Sequence, residues 1–162
     1  MGENNMAETK TNAVRIVETN KVPYTLHTYP CKEAVDGVTV AGMLGVEPER
    51  VYKTLVTQGK SGAYFVFVVP VEKELDLKKA ARSVDEKAVQ MIPVKDINKV
   101  TGYIRGGCSP VGMKKQYVTR IDESAILQER IFVSAGRIGQ QMELSPDGIV
   151  QLTGACYADI IM

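Results

Sequence analysis

The sequence predicts an α+β fold around a mixed, strongly curved β-sheet. Three observations lead there. A long hairpin pattern occupies the middle of the chain, from Val51 to Val69. Elsewhere, short strand and helix patterns mix without βαβ regularity, which argues against a doubly wound parallel sheet. With 162 residues, one domain is the default, and the chain can bury a core without staples. No internal repeat or low-complexity region complicates this reading.

Residues 1–10 are polar and carry a second Met at position 6, so a disordered leader is expected, followed by one domain over 11–162. Ala13, Val14, Ile16 and Val17 share a helical face and predict a helix to about Asn20. Tyr24 to Tyr29 is extended after Pro23, and 30–37 is loop. A short helix over Thr39 to Leu44 ends at Gly45. Val51 to Thr57 and Ala63 to Val69 are paired strands joined by a Gly59–Gly62 turn. The second strand is apolar throughout and should be central, buried on both faces. Asp76 caps a helix through Val84, with Leu77, Ala80, Ala81 and Val84 on one face. Val94 to Thr101 is a further short helix, closed by Gly102. Val118 to Asp122, Ile131 to Ser134 and Gly139 to Leu144 read as strands, with a helical turn at Ser124 to Gln128. Ser145-Pro146-Asp147 starts the last helix, which closes near Gly154. Tyr157 to Ile161 forms a final strand.

Between Gly102 and Lys115, four glycines, a Ser-Pro step and three basic residues fill fourteen positions. A glycine pair, Gly106-Gly107, lets backbone N–H groups approach a ligand, and successive N–H groups form an anion-binding concavity. Arg105, Lys114 and Lys115 add full positive charges. The loop can hold phosphate or a developing oxyanion; a glycine-rich turn with a solvated basic flank is the plainer alternative.

Formal net charge is only +1, so a nucleic-acid role must rest on a local patch. No apolar run approaches the ~20 residues that span a bilayer, and no signal peptide is visible. A cytoplasmic location and no membrane partner are expected. Cys31, Cys108 and Cys156 are widely spaced and there is one histidine, His27, so no metal site of the usual spacing is supported. Cys156 reads as a small core residue. Cys108 sits near positive charge, which can lower a thiol pKa; it is either reactive or a packing residue.

Lys53 shares a strand face with Val51 and Leu55. It must snorkel, pair, or face a cavity where it binds a phosphate or carbonyl oxygen. His27 reads as a satisfied structural residue. Gly136-Arg137-Ile138-Gly139 is a second basic turn, which brings Arg137 beside the first loop or leaves it solvated. No GxSxG, P-loop or dinucleotide fingerprint appears. Without a nucleophile–base pair, an enzyme of this kind works by positioning and electrostatics on an activated substrate, and an aminoacyl ester fits.

Tyr52-Lys53-Thr54-Leu55, Leu75-Asp76-Leu77-Lys78-Lys79, Thr101-Gly102-Tyr103, Gly106-Gly107-Cys108-Ser109-Pro110 and Lys114-Lys115 together resemble the YbaK/EbsC family. These are aminoacyl-tRNA deacylases related to the editing domain of some prolyl-tRNA synthetases. The resemblance runs from about Ala13 to Ile161. It implies a barrel-like mixed sheet and trans-acting hydrolysis of a mischarged tRNA ester, with Cys-tRNA(Pro) the best-known substrate of the YbaK branch. It implies no metal and no cofactor, the cysteinyl thiol attacking its own ester. Lys53 then contacts the scissile ester and terminal nucleotide, and the Gly106, Gly107, Ser109, Pro110 loop faces the carbonyl. Tyr29, Thr54, Cys108 and Gln141 line the pocket. Arg105, Lys114, Lys115 and Arg137 are candidate tRNA contacts, and prolyl-tRNA synthetase is the implied partner. Gln141 stands where the best-known YbaK members have an aspartate, and an amide brings no negative charge to an α-amino group. Arg105 and the Gly-Arg-Ile-Gly turn are closer to the EbsC branch. Two rival readings are a non-catalytic module that binds tRNA ends or a synthetase, and a thiol enzyme using Cys108.

Overall fold

The computed structural model describes residues 9–162; the leader expected over 1–10 falls largely outside them. Helix α1, Asn12–Thr19, opens the fold. Its cap is Thr11, whose hydroxyl oxygen accepts from the Val14 amide at 3.2 Å and donates to the Ala135 carbonyl at 2.5 Å. Strand β1, Tyr24–Thr28, follows, and then α2, Gly37–Leu44, capped by Asp36. A 3-10 turn, Pro48–Arg50, leads into β2, Tyr52–Gly59, and β3, Tyr64–Pro70. Next come α3, Leu77–Ser83, capped as expected by Asp76, and β4, Val89–Met91. The helix expected over 94–101 is divided into a 3-10 turn, Val94–Asp96, and a short α4, Ile97–Thr101. β5 is Val118–Asp122, β6 Ile131–Ser134 and β7 Gln140–Leu144; α5, Pro146–Thr153, and β8, Cys156–Ala158, complete the chain.

The strands form two sheets rather than a closed barrel. β1-β7-β6 is antiparallel, and β4-β2-β3-β5-β8 is mixed, with β3-β5 and β5-β8 parallel. A parallel bridge between Val51 and Phe132 joins them where β2 begins. Curvature is thus achieved by two sheets that meet, not by one that wraps round. β3 lies at the centre of the larger sheet, and Phe67, Val68 and Val69 have no exposed surface, as its continuous apolar run requires.

Three expectations need correction. Leu77 is 43% exposed, because α3 buries only Ala80 and Ala81 in a cluster with Phe67 and Ile160. Cys156 is exposed rather than a core residue, since β8 is an edge strand of the larger sheet. The final strand is shorter than 157–161, although Ile161 still makes a bridge to Leu75.

α2 is seated where the sheets meet, with Ala41 packed among Val51, Val71 and Phe132. The floor of the smaller sheet is fixed by register. His27 and Ser134 stand on either side of Gln141, the middle residue of that rung. The junction therefore leaves a hollow bounded by β2, the start of α2, the 91–97 segment and the glycine loop.

Candidate active site

That hollow is a cavity of about 530 Å³. β2 runs along it, and every residue from Val51 to Val56 contributes to its wall, Lys53 and Thr54 among them. Arg105, Gly106 and Cys108 supply the facing rim, Gln141 and Ser134 the floor, and Asp36, Gly37 and Val40 the α2 side. The structure thus brings six of the sequence-predicted residues into one hollow: Lys53, Thr54, Arg105, Gly106, Cys108 and Gln141.

The glycine loop is built by packing. A Cβ on Gly106 would come within 2.7 Å of the Ala34 methyl, and one on Gly107 within 2.9 Å of the Arg137 Cα. The loop is therefore pinched between 30–36 and 136–139, and the Gly-Arg-Ile-Gly turn does lie beside it. The Gly107 amide donates to the Ile104 carbonyl at 2.9 Å. Ser109 is fully buried, and its hydroxyl accepts from the Val111 amide at 3.2 Å, which folds the loop. Gly107, Ser109 and Pro110 stand behind the rim, while Gly106 and Cys108 reach the cavity. Arg137 donates to the Thr9 carbonyl at 2.7 Å, so its guanidinium is engaged at the chain's beginning. Lys114 and Lys115 are exposed beyond the loop.

Two polar atoms in the cavity wall are unsatisfied. Thr54 Oγ1 and Gln141 Oε1 are shielded from solvent and have no hydrogen-bond partner among the described residues. Gln141 is only 6% exposed, and its Nε2 makes a long 3.5 Å contact to the Tyr29 hydroxyl. Tyr29 therefore reaches the site through Gln141, and burial raises its pKa. A buried acceptor left unpaired costs about 1–3 kcal/mol, so such atoms are rare unless something pairs with them. Asp36, the one carboxylate of this wall, is committed to capping α2 and accepts from the Thr39 amide at 2.7 Å.

Cys108 is not an activated thiol. Burial pushes its pKa up to about 11, against the lowering that neighbouring cations could have caused. His27 is the satisfied structural residue its strand suggested. Its Nε2 lies 2.8 Å from Glu143 Oε1, and Arg50 donates to the other carboxylate oxygen at 3.0 Å. Burial works against the Glu143 charge, but hydrogen bonds from His27 and Arg50 outweigh it and leave the pKa lowered. Among the described residues, no group of three or more His, Cys, Asp or Glu gathers to hold a metal ion.

Sequence reasoning missed two parts of the wall: Asp36, Gly37 and Val40 at the α2 side, and Met91, Ile92, Val94 and Ile97. β4 is three residues long, too short for alternation to reveal. The spacing of Val94 and Ile97, one helical turn apart, was the available signal.

Known proteins resemble this chain in sequence and in fold. The family model for the aminoacyl-tRNA editing domain matches residues 31–152. The candidate Cys-tRNA(Pro)/Cys-tRNA(Cys) deacylase EbsC of Enterococcus faecalis is 47% identical over 152 residues, 93% of this chain and 93% of that protein. The proline–tRNA ligase of Fervidobacterium nodosum is 35% identical over 75 residues, 46% of this chain and 13% of the ligase. The crystal structure of a candidate trans-editing enzyme for prolyl-tRNA synthetase superposes with a TM-score of 0.81 at 24% identity, covering 96% of this chain and 99% of that one, which shows the shared fold.

Proposed function

The chain belongs to the aminoacyl-tRNA editing domain family, and from that membership we propose that it hydrolyses, in trans, the ester joining a wrong amino acid to tRNA. Cys-tRNA(Pro) is the substrate the reading favours, since the 47% identical relative is named for Cys-tRNA(Pro) and Cys-tRNA(Cys). One observation carries the reading: a single cavity brings together a lysine, the Gly106–Cys108 edge of the glycine loop and two residues with unpaired buried acceptors, but no activated nucleophile.

The parts divide by chemistry. Lys53 presents a point charge to the ester and terminal nucleotide. The amides of Gly106 and Cys108 stabilise the oxyanion as the carbonyl becomes tetrahedral, with Gly107, Ser109 and Pro110 holding the loop in shape. Thr54 and Gln141 accept N–H or S–H donors of the aminoacyl group. Gln141 does this as a neutral amide, so it selects by hydrogen bond and not by opposite charge. With a cysteinyl ester, the substrate's thiol supplies the attacking sulfur. The C–S bond forms, the C–O bond breaks, and the thiol proton ends on the departing ribose hydroxyl. Water then opens the thioester. The thiol-enzyme alternative requires a Cys108 thiolate, which burial disfavours.

Arg105, Lys114, Lys115 and Arg137 are proposed to meet the tRNA. A partnership with prolyl-tRNA synthetase is supported by the partial similarity to a proline–tRNA ligase. The experiment is deacylation of Cys-tRNA(Pro), Ala-tRNA(Pro) and other mischarged tRNAs at fixed salt. Ester hydrolysis on at least one is expected, falling ~10²–10³-fold in Lys53→Ala, the scale of losing a group that stabilises the transition state. Absence of turnover on all of them would end the reading.

A further inference from the structure

Segment 91–99 does two jobs. Val94 and Ile97 face the cavity, while Lys95 and Lys99 stand in solvent, with the Lys99 side chain 70% exposed. Lys114 Nζ donates to the Lys99 carbonyl at 3.2 Å, which lays the end of the glycine loop alongside α4. Residues 94–115 thus gather five cations, Lys95, Lys99, Arg105, Lys114 and Lys115, against one carboxylate, Asp96, which lies 3.5 Å from Lys99. Segment 30–50, which packs against the glycine loop at Ala34 and supplies the α2 side of the cavity, has four carboxylates against two cations. In a chain whose formal charge is +1, the cations are therefore concentrated in residues 94–115 and the carboxylates in residues 30–50. Within the basic stretch, the cavity-wall residue Val94 is 56% exposed and Ile104, next to Arg105, 54%.

We propose that Lys95, Lys99, Lys114 and Lys115 form a phosphate-binding ridge for the RNA strand whose 3′ end enters the cavity. The strand leaves over α4, away from the carboxylates beside α2. This rests on the deacylase reading for its choice of RNA, and it adds the path of the substrate's body. α4 couples the two: its inner side shapes the pocket and its outer side holds the backbone. Each lysine–phosphate contact releases about 0.7–0.9 counterion, so the ridge sets the salt dependence although the protein is nearly neutral.

The test uses an uncharged acceptor-stem RNA minihelix with a single-stranded 3′ end, so that binding is read without turnover. Lys95→Ala/Lys99→Ala is expected to weaken binding about tenfold at low salt and to flatten the slope of log affinity against log salt by about 1.5. Lys32→Ala, outside residues 94–115, should change neither. Unchanged affinity in the double variant, an equal loss in Lys32→Ala, or no binding by the wild-type protein would each overturn the ridge. Hydrolysis of a short ester, cysteinyl-adenosine, is measured in parallel. The double variant should cleave it like wild type, and an equal loss on this phosphate-free substrate would also overturn the ridge. If wild type binds the minihelix but hydrolyses no ester, the deacylase reading fails and the RNA surface stands.

Discussion

Gln141 shows at the scale of one residue how a site can be read from a missing bond. Its Oε1 is buried without a partner on the cavity floor. The protein pays for that atom in stability unless a ligand supplies a donor. Gln141→Met keeps the length and removes both polar atoms. Thermal melting should show a Tm equal to or above wild type, while kcat/KM on the preferred mischarged tRNA falls at least tenfold. A variant that loses stability and keeps activity would show that Gln141 is a packing residue. Cys108 makes the opposite case. With its pKa pushed up to about 11, it holds little thiolate at pH 8. Exposed Cys156 should be alkylated by iodoacetamide well before it, as peptide mapping would show, and Cys108→Ala should keep most of the wild-type turnover. Of the cavity residues, Lys53 was legible from the strand face it shares with Val51 and Leu55, and Gln141 from the resemblance. The unpaired state of Gln141 Oε1 was not, since it depends on what His27, Ser134 and Tyr29 do around it.

Elements were legible where their ends carry local chemistry. Asp76 caps α3, Ser145 caps α5, and Gly102 closes α4, each a short-range signal that the sequence displays. β4 was invisible because its three residues are strand only through pairing with Thr57, Gln58 and Gly59 of β2. The mixed α+β fold was legible, but its division into two sheets was not, since which strands pair depends on contacts no local pattern encodes. Two glycines test this difference. Gly42 lies inside α2, and a Cβ there would meet nothing within 4 Å. Gly42→Ala should raise stability by about 0.5–1 kcal/mol in chemical denaturation. Gly107 carries no such freedom: its Cβ would press on the Arg137 and Ile138 backbone at 2.9–3.0 Å. Gly107→Ala should lower the denaturation midpoint and kcat together, because the strand of chain it displaces forms the cavity rim. Equal behaviour of the two variants would contradict the packing origin of the glycine pair.

Across the whole molecule, the cavity and the contacts that hold the last residues lie in different places. The last residues return to the segment before α3. The Asp76 amide donates to the Ile160 carbonyl at 2.8 Å, the Met162 amide to Glu74 at 3.0 Å, and Lys79 Nζ to the Ile161 carbonyl at 2.9 Å. Buried Asp122 accepts from the Ile160 amide at 3.1 Å, and the Ile160 side chain is fully buried in the cluster with Phe65, Phe67 and Ala80. None of the residues after Ala155 lines the cavity. Truncating Ile160 removes buried methyl groups and leaves a void, a change that costs about 2–5 kcal/mol. In a chain of this length each kcal/mol shifts Tm by roughly 2–4 °C. Ile160→Ala should therefore melt on the order of 4–20 °C earlier by calorimetry. Below that transition its KM and kcat on the mischarged tRNA should match wild type, because β2, the glycine loop and α4 keep their positions. A loss of kcat in the still-folded variant would mean that the tail and the cavity wall move as one body, and the separation of stability from chemistry would not hold for this fold.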